Sequence, residues 1–181
     1  QINQVGFSLY SDMLARAVAA LRRGEEPDLE RPAQQPTEIE LHLPALIPET
    51  YLADVQTRLT LYKRIASAAD SDALRELQVE MIDRFGLLPE AVKNLFEIAG
   101  LRLLADRVGI MRLDFGPQGG RLEFPEDTRA DPAALLRLIQ ERASDFRLDG
   151  PQKLRILMSC AEPARRLLEA RALLEKLSPN E

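Results

Sequence analysis

The sequence predicts an α+β fold, a small and mostly antiparallel sheet with hairpins that packs against several amphipathic helices. Helical and strand-like patterns are segregated along the 181 residues instead of alternating, which favours α+β over a parallel α/β sheet. Two hairpin patterns with glycine-containing turns occur in the second half of the chain. With 45% hydrophobic and 29% charged residues, the chain is expected to form either one soluble domain with a full core or two small lobes that share one.

The N-terminal part is predicted to contain a helix and an extended connector. Leu14, Val18 and Leu21 recur at helical spacing, which predicts a helix within residues 1–24. Residues 25–36 contain three prolines and almost no apolar residue, which is typical of an extended connector. We therefore expect residues 37–181 to form the α+β domain, with the whole chain acting as one structural unit.

A strand is predicted over residues 37–43, where polar and apolar residues alternate. Ile39, Leu41 and Leu43 fall on one face, and His42 falls on the other. Pro44 follows this alternation, and we expect the strand to end there.

Three helices should follow the strand. Asp70 or Ser71 can cap the second helix, and Pro89 suits the first turn of the third, where a missing amide donor costs nothing. The predicted ranges are 52–68, 71–85 and 89–108.

The rest of the chain predicts two hairpins and two helices. The first hairpin places alternating apolar residues around a Gly116–Gly120 turn, and Asp131 followed by Pro132 opens a helix. The second hairpin pairs residues 146–148 with 153–157. A final helix over 161–177 is expected to turn four leucines toward the core: Leu167, Leu168, Leu174 and Leu177.

Charge and cysteine content restrict the function classes. A net charge of −5 gives no general attraction to a phosphate backbone. The single cysteine, Cys160, excludes an internal disulfide and predicts a reducing compartment, most simply the cytoplasm. No apolar run reaches the roughly 20 residues that span a bilayer, and no signal-peptide pattern opens the chain. Because the chain starts at Gln1, we expect a piece of a longer polypeptide.

The helix over residues 71–85 carries an acidic face. Asp72, Glu76, Glu80 and Asp83 lie opposite an apolar arc on a helical wheel. This arrangement predicts either a docking surface or a plain solvated face. Glu76, Glu80 and Asp83 are also spaced to approach one divalent cation, so a small hydrolase with a carboxylate-metal site is a further alternative. The apolar arc comprises Leu74, Leu77, Met81, Ile82 and Phe85.

No catalytic constellation is predicted. The sequence names no convergent partner for His42, which is expected to be a surface strand residue, and Cys160 is expected to be a half-buried structural thiol. The glycines of 116–120 join two strands without a following Gly-Lys-Ser/Thr, so they do not form a phosphate-binding loop. The best basic cluster is on the last helix, where nucleic-acid contact competes with a salt-linked solvated face; its members are Arg165, Arg166 and Arg171.

Four blocks of sequence, in this order, resemble the C-terminal domain of the bacterial transcription-repair coupling factors, the Mfd (TRCF) family. The resemblance covers essentially the whole chain. The blocks are Gly6–Tyr10, Arg58–Ala66, Asp83–Pro89 and Arg147–Pro151.

The resemblance implies a longer parent, an ATP-dependent DNA translocase and helicase-like hydrolase that uses magnesium. Such a parent displaces stalled RNA polymerase and recruits UvrA for nucleotide excision repair. The domain itself is expected to be non-catalytic and to need no cofactor. It would dock on the UvrB-like N-terminal module of the same polypeptide and mask UvrA binding, an autoinhibition. Glu80 and Asp83 match the family's acidic docking pair, and Glu76 is their neighbour.

Overall fold

The structure, a computed structural model, describes residues 37–179. The predicted helix within 1–24 and the connector over 25–36 lie outside these residues. The described residues divide into two compact units. The first unit comprises residues 46–99, and the second comprises residues 37–45 and 100–179. None of the helices within 37–179 is long and apolar enough to cross a membrane.

The first unit is helical. It contains α1 (Val55–Ala66), α2 (Ser71–Phe85) and the residues of α3 (Glu90–Val108) up to Ala99. Helix α2 has the predicted bounds because the Asp70 side chain caps it, accepting a hydrogen bond from the Ala73 amide at 2.8 Å. Helix α1 starts three residues after the predicted position because Asp54 caps it in the same way.

The core of the first unit follows the helical spacing. Leu74, Leu77 and Met81 are buried on α2, as the apolar arc predicted. Ile82, also assigned to that arc, is 39% exposed, so its prediction as a core residue was wrong. The arc is therefore narrower than predicted. The other buried apolar residues of this unit are Ile47, Leu52, Leu61, Ile65, Val92 and Phe96.

The second unit contains a five-stranded sheet with the order β1-β2-β3-β5-β4. Neighbouring strands are antiparallel except for β1 and β2, which are parallel. The predicted α+β fold with a mostly antiparallel sheet is confirmed. The strands are β1 (Glu38–Glu40), β2 (Arg112–Gly116), β3 (Gly119–Glu123), β4 (Phe146–Leu148) and β5 (Lys153–Ile156).

Strand β1 is shorter than the predicted 37–43. It ends at Glu40 because His42 adopts a left-handed backbone conformation, φ 55°, which turns the chain out of the sheet. The predicted faces are nevertheless correct at the end of this segment, since Leu41 is buried and His42 is exposed.

The first hairpin is tighter than predicted. Only Pro117 and Gln118 connect β2 and β3, so the glycines predicted to form the turn belong to the strands. A Cβ atom on Gly120 would lie 1.8 Å from the Asp114 carbonyl oxygen, and glycine is therefore required by close backbone approach. The second hairpin has its predicted turn, with Gly150 at φ 81°.

Two further helices belong to this unit, α4 (Pro132–Glu141) and α5 (Pro163–Leu177). As predicted, Asp131 opens α4; its carboxylate accepts a hydrogen bond from the Ala133 amide. Helix α4 packs against β4, and α5 packs against α4 and β2. Leu168, predicted to face the core, is 68% exposed, which corrects that assignment. The buried residues of α5 are Arg166, Ala170, Leu173, Leu174 and Leu177.

Candidate functional site

Helix α2 presents one exposed face opposite its buried one. Asp72, Glu76, Val79 and Asp83 are all exposed, and their spacing of four, three and four residues aligns them along the helix. We call these four residues the acidic stripe. The predicted outward placement of its three carboxylates is confirmed. Val79 gives the stripe an apolar centre that the sequence interpretation did not include.

Glu80, predicted to belong to the outward acidic face, forms an ion pair within its own unit. Its Oε2 lies 2.5 Å from Arg64 Nη1, and its Oε1 lies 2.9 Å from Arg64 Nη2. Arg84 Nη1 lies 3.3 Å from Oε2. These hydrogen bonds, chiefly those from Arg64, lower the pKa of Glu80 to about 2. The bidentate pair links α1 to α2.

Glu76 and Asp83 have no such partner. Both side chains are exposed, and within residues 37–179 neither forms an ion pair or a hydrogen bond through its carboxylate. The two carboxylates are therefore available to cations from another surface. Glu80, by contrast, presents a carboxylate that two arginines already neutralise.

The turn after α2 is held from outside the helix. The Tyr51 hydroxyl lies 2.9 Å from the Gly86 carbonyl oxygen and 3.3 Å from that of Met81. The Tyr51 ring also packs edge-on against Phe85, with ring centroids 6.1 Å apart. Gly86 adopts φ 95° and ψ −172°, a conformation available essentially only to glycine. The turn thereby fixes the end of α2 and leaves Leu87 85% exposed.

A depression of about 330 Å³ lies between the end of α1 and the start of α2. Arg64, Glu76, Leu77 and Glu80 are among its lining residues. No group of three or more His, Cys, Asp or Glu side chains within 37–179 is arranged to hold a metal ion. Arg64, Glu76 and Glu80 give the depression charged walls.

The three arginines predicted as a basic cluster on the last helix do not form one. Arg166 is 2% exposed and its Nη2 donates to the His42 carbonyl oxygen at 3.3 Å. Arg165 is exposed and Arg171 is half-buried. The physical reason is angular, since residues 166 and 171 lie about 140° apart around a helix. Arg166 instead continues the buried series Ala170, Leu173 and Leu177.

His42 and Cys160, the two residues predicted to be non-catalytic, lie in different environments. The exposed His42 ring has its Nε2 2.7 Å from Asp114 Oδ1, a surface pair. Cys160 is buried, more completely than the predicted half-burial, and its Sγ lies 3.9 Å from the Glu162 carbonyl oxygen. Burial raises the pKa of the Cys160 thiol, although the charges of Arg165 and Arg166 oppose the shift.

A second charged surface was missed by sequence reasoning. On three adjacent strands, Arg121 pairs in register with Arg155, and Arg155 pairs with Arg147. We call these residues the arginine row. Strand alternation places each of them opposite a buried neighbour, but only the strand order β3-β5-β4 brings them together. The sequence of each strand therefore indicates which face these arginines occupy, but it does not indicate that they are neighbours.

Comparison with known proteins gives a consistent result. The family model described as the TRCF domain matches residues 41–135. The transcription-repair-coupling factor of Haemophilus influenzae is 47% identical over 92% of this chain, and that of Escherichia coli is 44% identical over 97%. The chain spans about 15% of the length of these two relatives.

A solved structure shares the fold. The crystal structure of a C-terminal domain of transcription-repair coupling factor superposes with a TM-score of 0.64 at 24% sequence identity. The match covers 80% of this chain and 96% of that one. The similarity therefore extends over nearly the whole of the solved domain.

Proposed function

Because the chain belongs to the TRCF domain family, we propose that it is a non-catalytic regulatory domain of a transcription-repair coupling factor. In this proposal the acidic stripe docks on the UvrB-like N-terminal module of the same polypeptide. Docking masks the UvrA-binding surface of that module, and polymerase engagement releases it.

The observation that carries the proposal is a pair of exposed carboxylates, Glu76 and Asp83, that have no partner among residues 37–179 and lie on a helix whose opposite face is buried. Such carboxylates accept charge-assisted, bidentate hydrogen bonds from arginines of a partner. Contacts of this kind give orientation and specificity at a modest total energy. A clamp that must later open needs a difference of only a few kcal/mol between its two states.

Glu80 takes a different part in the proposed contact. Its pairing with Arg64 holds α1 against α2 and so fixes the direction in which the stripe faces. Oε2 already accepts from Arg64 and Arg84, whereas Oε1 accepts only from Arg64. The second lone pair of Oε1 therefore lets Glu80 accept a partner's guanidinium without losing Arg64. We therefore assign the main docking charge to Asp83 and Glu76, with Glu80 as the organising residue.

The activities of the whole protein are part of the same proposal. We propose that the parent is an ATP-dependent DNA translocase that uses magnesium, works in the cytoplasm, displaces stalled RNA polymerase and recruits excision repair. Relatives named transcription-repair-coupling factor support this assignment. The alternative of nucleic-acid contact through the last helix has lost its basis, because Arg166 is in the core.

The test uses the full-length factor and purified UvrA. Asp83→Arg combined with Glu76→Arg should raise UvrA affinity at least about fivefold, the lower end of typical coupling between sites. Glu126→Arg with Asp127→Arg is the matched control, since both residues are exposed, lie in the second unit and change the net charge equally. The control should leave affinity unchanged.

Unchanged affinity in the stripe variant would refute masking by this surface. Adding Glu80→Arg should raise UvrA affinity further, but it also breaks the pair with Arg64. Thermal unfolding of that triple variant must therefore be measured alongside binding. A rise in affinity that appears only with loss of folding would contradict docking through the stripe.

A further inference from the structure

The exposed face of the sheet carries an unbalanced row of charges. Arg121 on β3, Arg155 on β5 and Arg147 on β4 lie directly opposite one another in register. Neighbouring strands are about 4.8 Å apart, so these guanidinium-bearing chains emerge side by side. Arg147 and Arg155 are exposed, and Arg121 is half-buried.

The arrangement costs the fold stability. Like charges that face each other across a strand pair are destabilising. Arg121 is compensated, because its Nε lies 3.2 Å from Glu123 Oε1 and it faces Asp114 of β2 in register. Arg147 and Arg155 form no ion pair with any residue of 37–179. The opposition of Arg147 and Arg155, which no ion pair within residues 37–179 compensates, indicates a use outside the fold.

The neighbouring row on the same face shows what a balanced arrangement looks like. There Glu38 faces Arg112, Arg112 faces Glu123, and Glu123 faces Lys153. Signs alternate along that row, and Arg112 Nη2 lies 3.1 Å from Glu38 Oε2. The same strands can therefore alternate charge. The three neighbouring arginines, two residues away along the strands, are thus not imposed by the sheet.

We propose that the arginine row is a docking surface for a carboxylate-rich polypeptide segment. Arginine presents a planar fork of donors that matches a carboxylate in a bidentate manner. Three such forks side by side complement a run of aspartate or glutamate side chains. This surface goes beyond the docking proposed for α2, because it lies in the other unit and selects a partner of opposite charge.

A protein partner fits this face better than a nucleic acid. The row continues on β2 and β1 as Asp114 and Glu40, so a phosphate polymer that extended across the sheet would meet carboxylates. The five residues of the extended row include no aromatic side chain on which a base could stack. An acidic protein segment can end where the arginines end.

The experiment measures binding of fluorescein-labelled octaglutamate to the full 181-residue chain by fluorescence anisotropy at low salt. Arg147→Gln with Arg155→Gln should weaken binding about tenfold or more, since charge-assisted hydrogen bonds are lost. The matched control is Arg137→Gln with Arg165→Gln, two exposed arginines on helices of the same unit. The control removes the same charge and should leave affinity within about twofold.

Four results would overturn the proposal. No binding of octaglutamate is the first, and equal weakening in the control pair, which would mean non-specific attraction, is the second. The third is tighter binding of a labelled DNA duplex that the same row variant abolishes, since the surface would then belong to a nucleic acid. Thermal unfolding of both variants shows whether the fold is retained; a lower Tm for the row variant alone would make the row structural and also refute the proposal.

Discussion

The acidic stripe of α2 and the arginine row of the sheet carry opposite charges and differ in how their units accommodate them. Beside the stripe, Glu80 is paired with Arg64 and Arg84, so charge there also holds two helices together. In the row, Arg155 faces an arginine on either side. Charge supports the fold in the first region and opposes it in the second.

This difference separates two kinds of evidence for function. Exposed carboxylates also serve solubility, and Glu80 beside the stripe serves helix pairing. The docking role of the stripe therefore depends on Glu76 and Asp83, which pair with nothing in 37–179. The row brings no such benefit to its own unit. Substitutions that change stability in opposite directions at the two surfaces therefore sharpen the comparison.

The largest effect should come from an arginine that belongs to neither surface. Arg166→Ala removes a 2% exposed side chain from the core beneath α5 and should lower the free energy of unfolding by about 3 kcal/mol, through lost packing. Arg165→Ala, exposed on the same helix, should change it by less than about 0.5 kcal/mol. Urea denaturation measures both, and similar values would contradict the division between core and surface arginines.

The next effect tests whether the end of the stripe is rigidly fixed. Gly86→Ala should lower the free energy of unfolding by about 2 kcal/mol, because alanine at φ 95° and ψ −172° is strained. No atom lies within 4 Å of the added Cβ, so the cost is purely conformational. Gly100→Ala, inside α3 with only an ordinary contact at 3.5 Å, should instead stabilise the chain. Equal signs in thermal unfolding would refute this account.

A smaller effect of opposite sign is expected in the row. Arg155→Thr should raise the free energy of unfolding by about 0.5 kcal/mol, because it removes two like-charge oppositions and places a good strand former in β5. Lys153→Thr, on the same strand but facing Glu123, removes an attractive opposition and should give no gain. A lower urea midpoint for Arg155→Thr than for the wild type would contradict the claim that the arginine row opposes folding.

The smallest effect is the pH dependence of the Glu80 pair, since exposed ion pairs contribute little. The pKa of Glu80 lies at about 2 in the fold against an ordinary value of 4.5. Its contribution is therefore present above about pH 4.5 and disappears as the pH falls toward 2.

The difference between wild type and Arg64→Met in urea midpoint should narrow over that interval. Arg75→Met, which removes a partner of Asp72 at 3.2 Å, is the control and should show no comparable narrowing. A constant difference down to pH 2 would contradict the assigned role of Arg64.

Local chemistry explains what the sequence could predict. Helix α2 has both of its predicted bounds because a capping aspartate and a glycine stop are adjacent to the residues that they control. Hairpin positions and the buried face of α2 follow from short-range periodicity in the same way. The predicted faces of Leu41 and His42 were correct. The left-handed backbone conformation of His42, which ends β1 at Glu40, has no simple sequence signal.

Two of the missed features join residues that are distant in sequence. Arg64 and Glu80 are sixteen positions apart and meet only when α1 packs on α2. The arginine row depends on the strand order, which sequence alternation does not specify. Arg166 is a different case, because its spacing from Ala170 and Leu173 is that of a buried series. Its charge, and not the pattern, led to its prediction as a surface residue.

The sheet has one further consequence, which concerns aggregation. Its two edge strands, β1 and β4, have three residues each, the shortest in the sheet. Short edges offer few unpaired backbone groups to another sheet, which limits edge-to-edge pairing between molecules. In the proposed cycle of docking and release, the domain leaves one partner before it meets the next and spends time with its surfaces uncovered. Short edges limit aggregation during this interval, because the released domain has few unpaired backbone groups in its edge strands with which to form intermolecular β-structure.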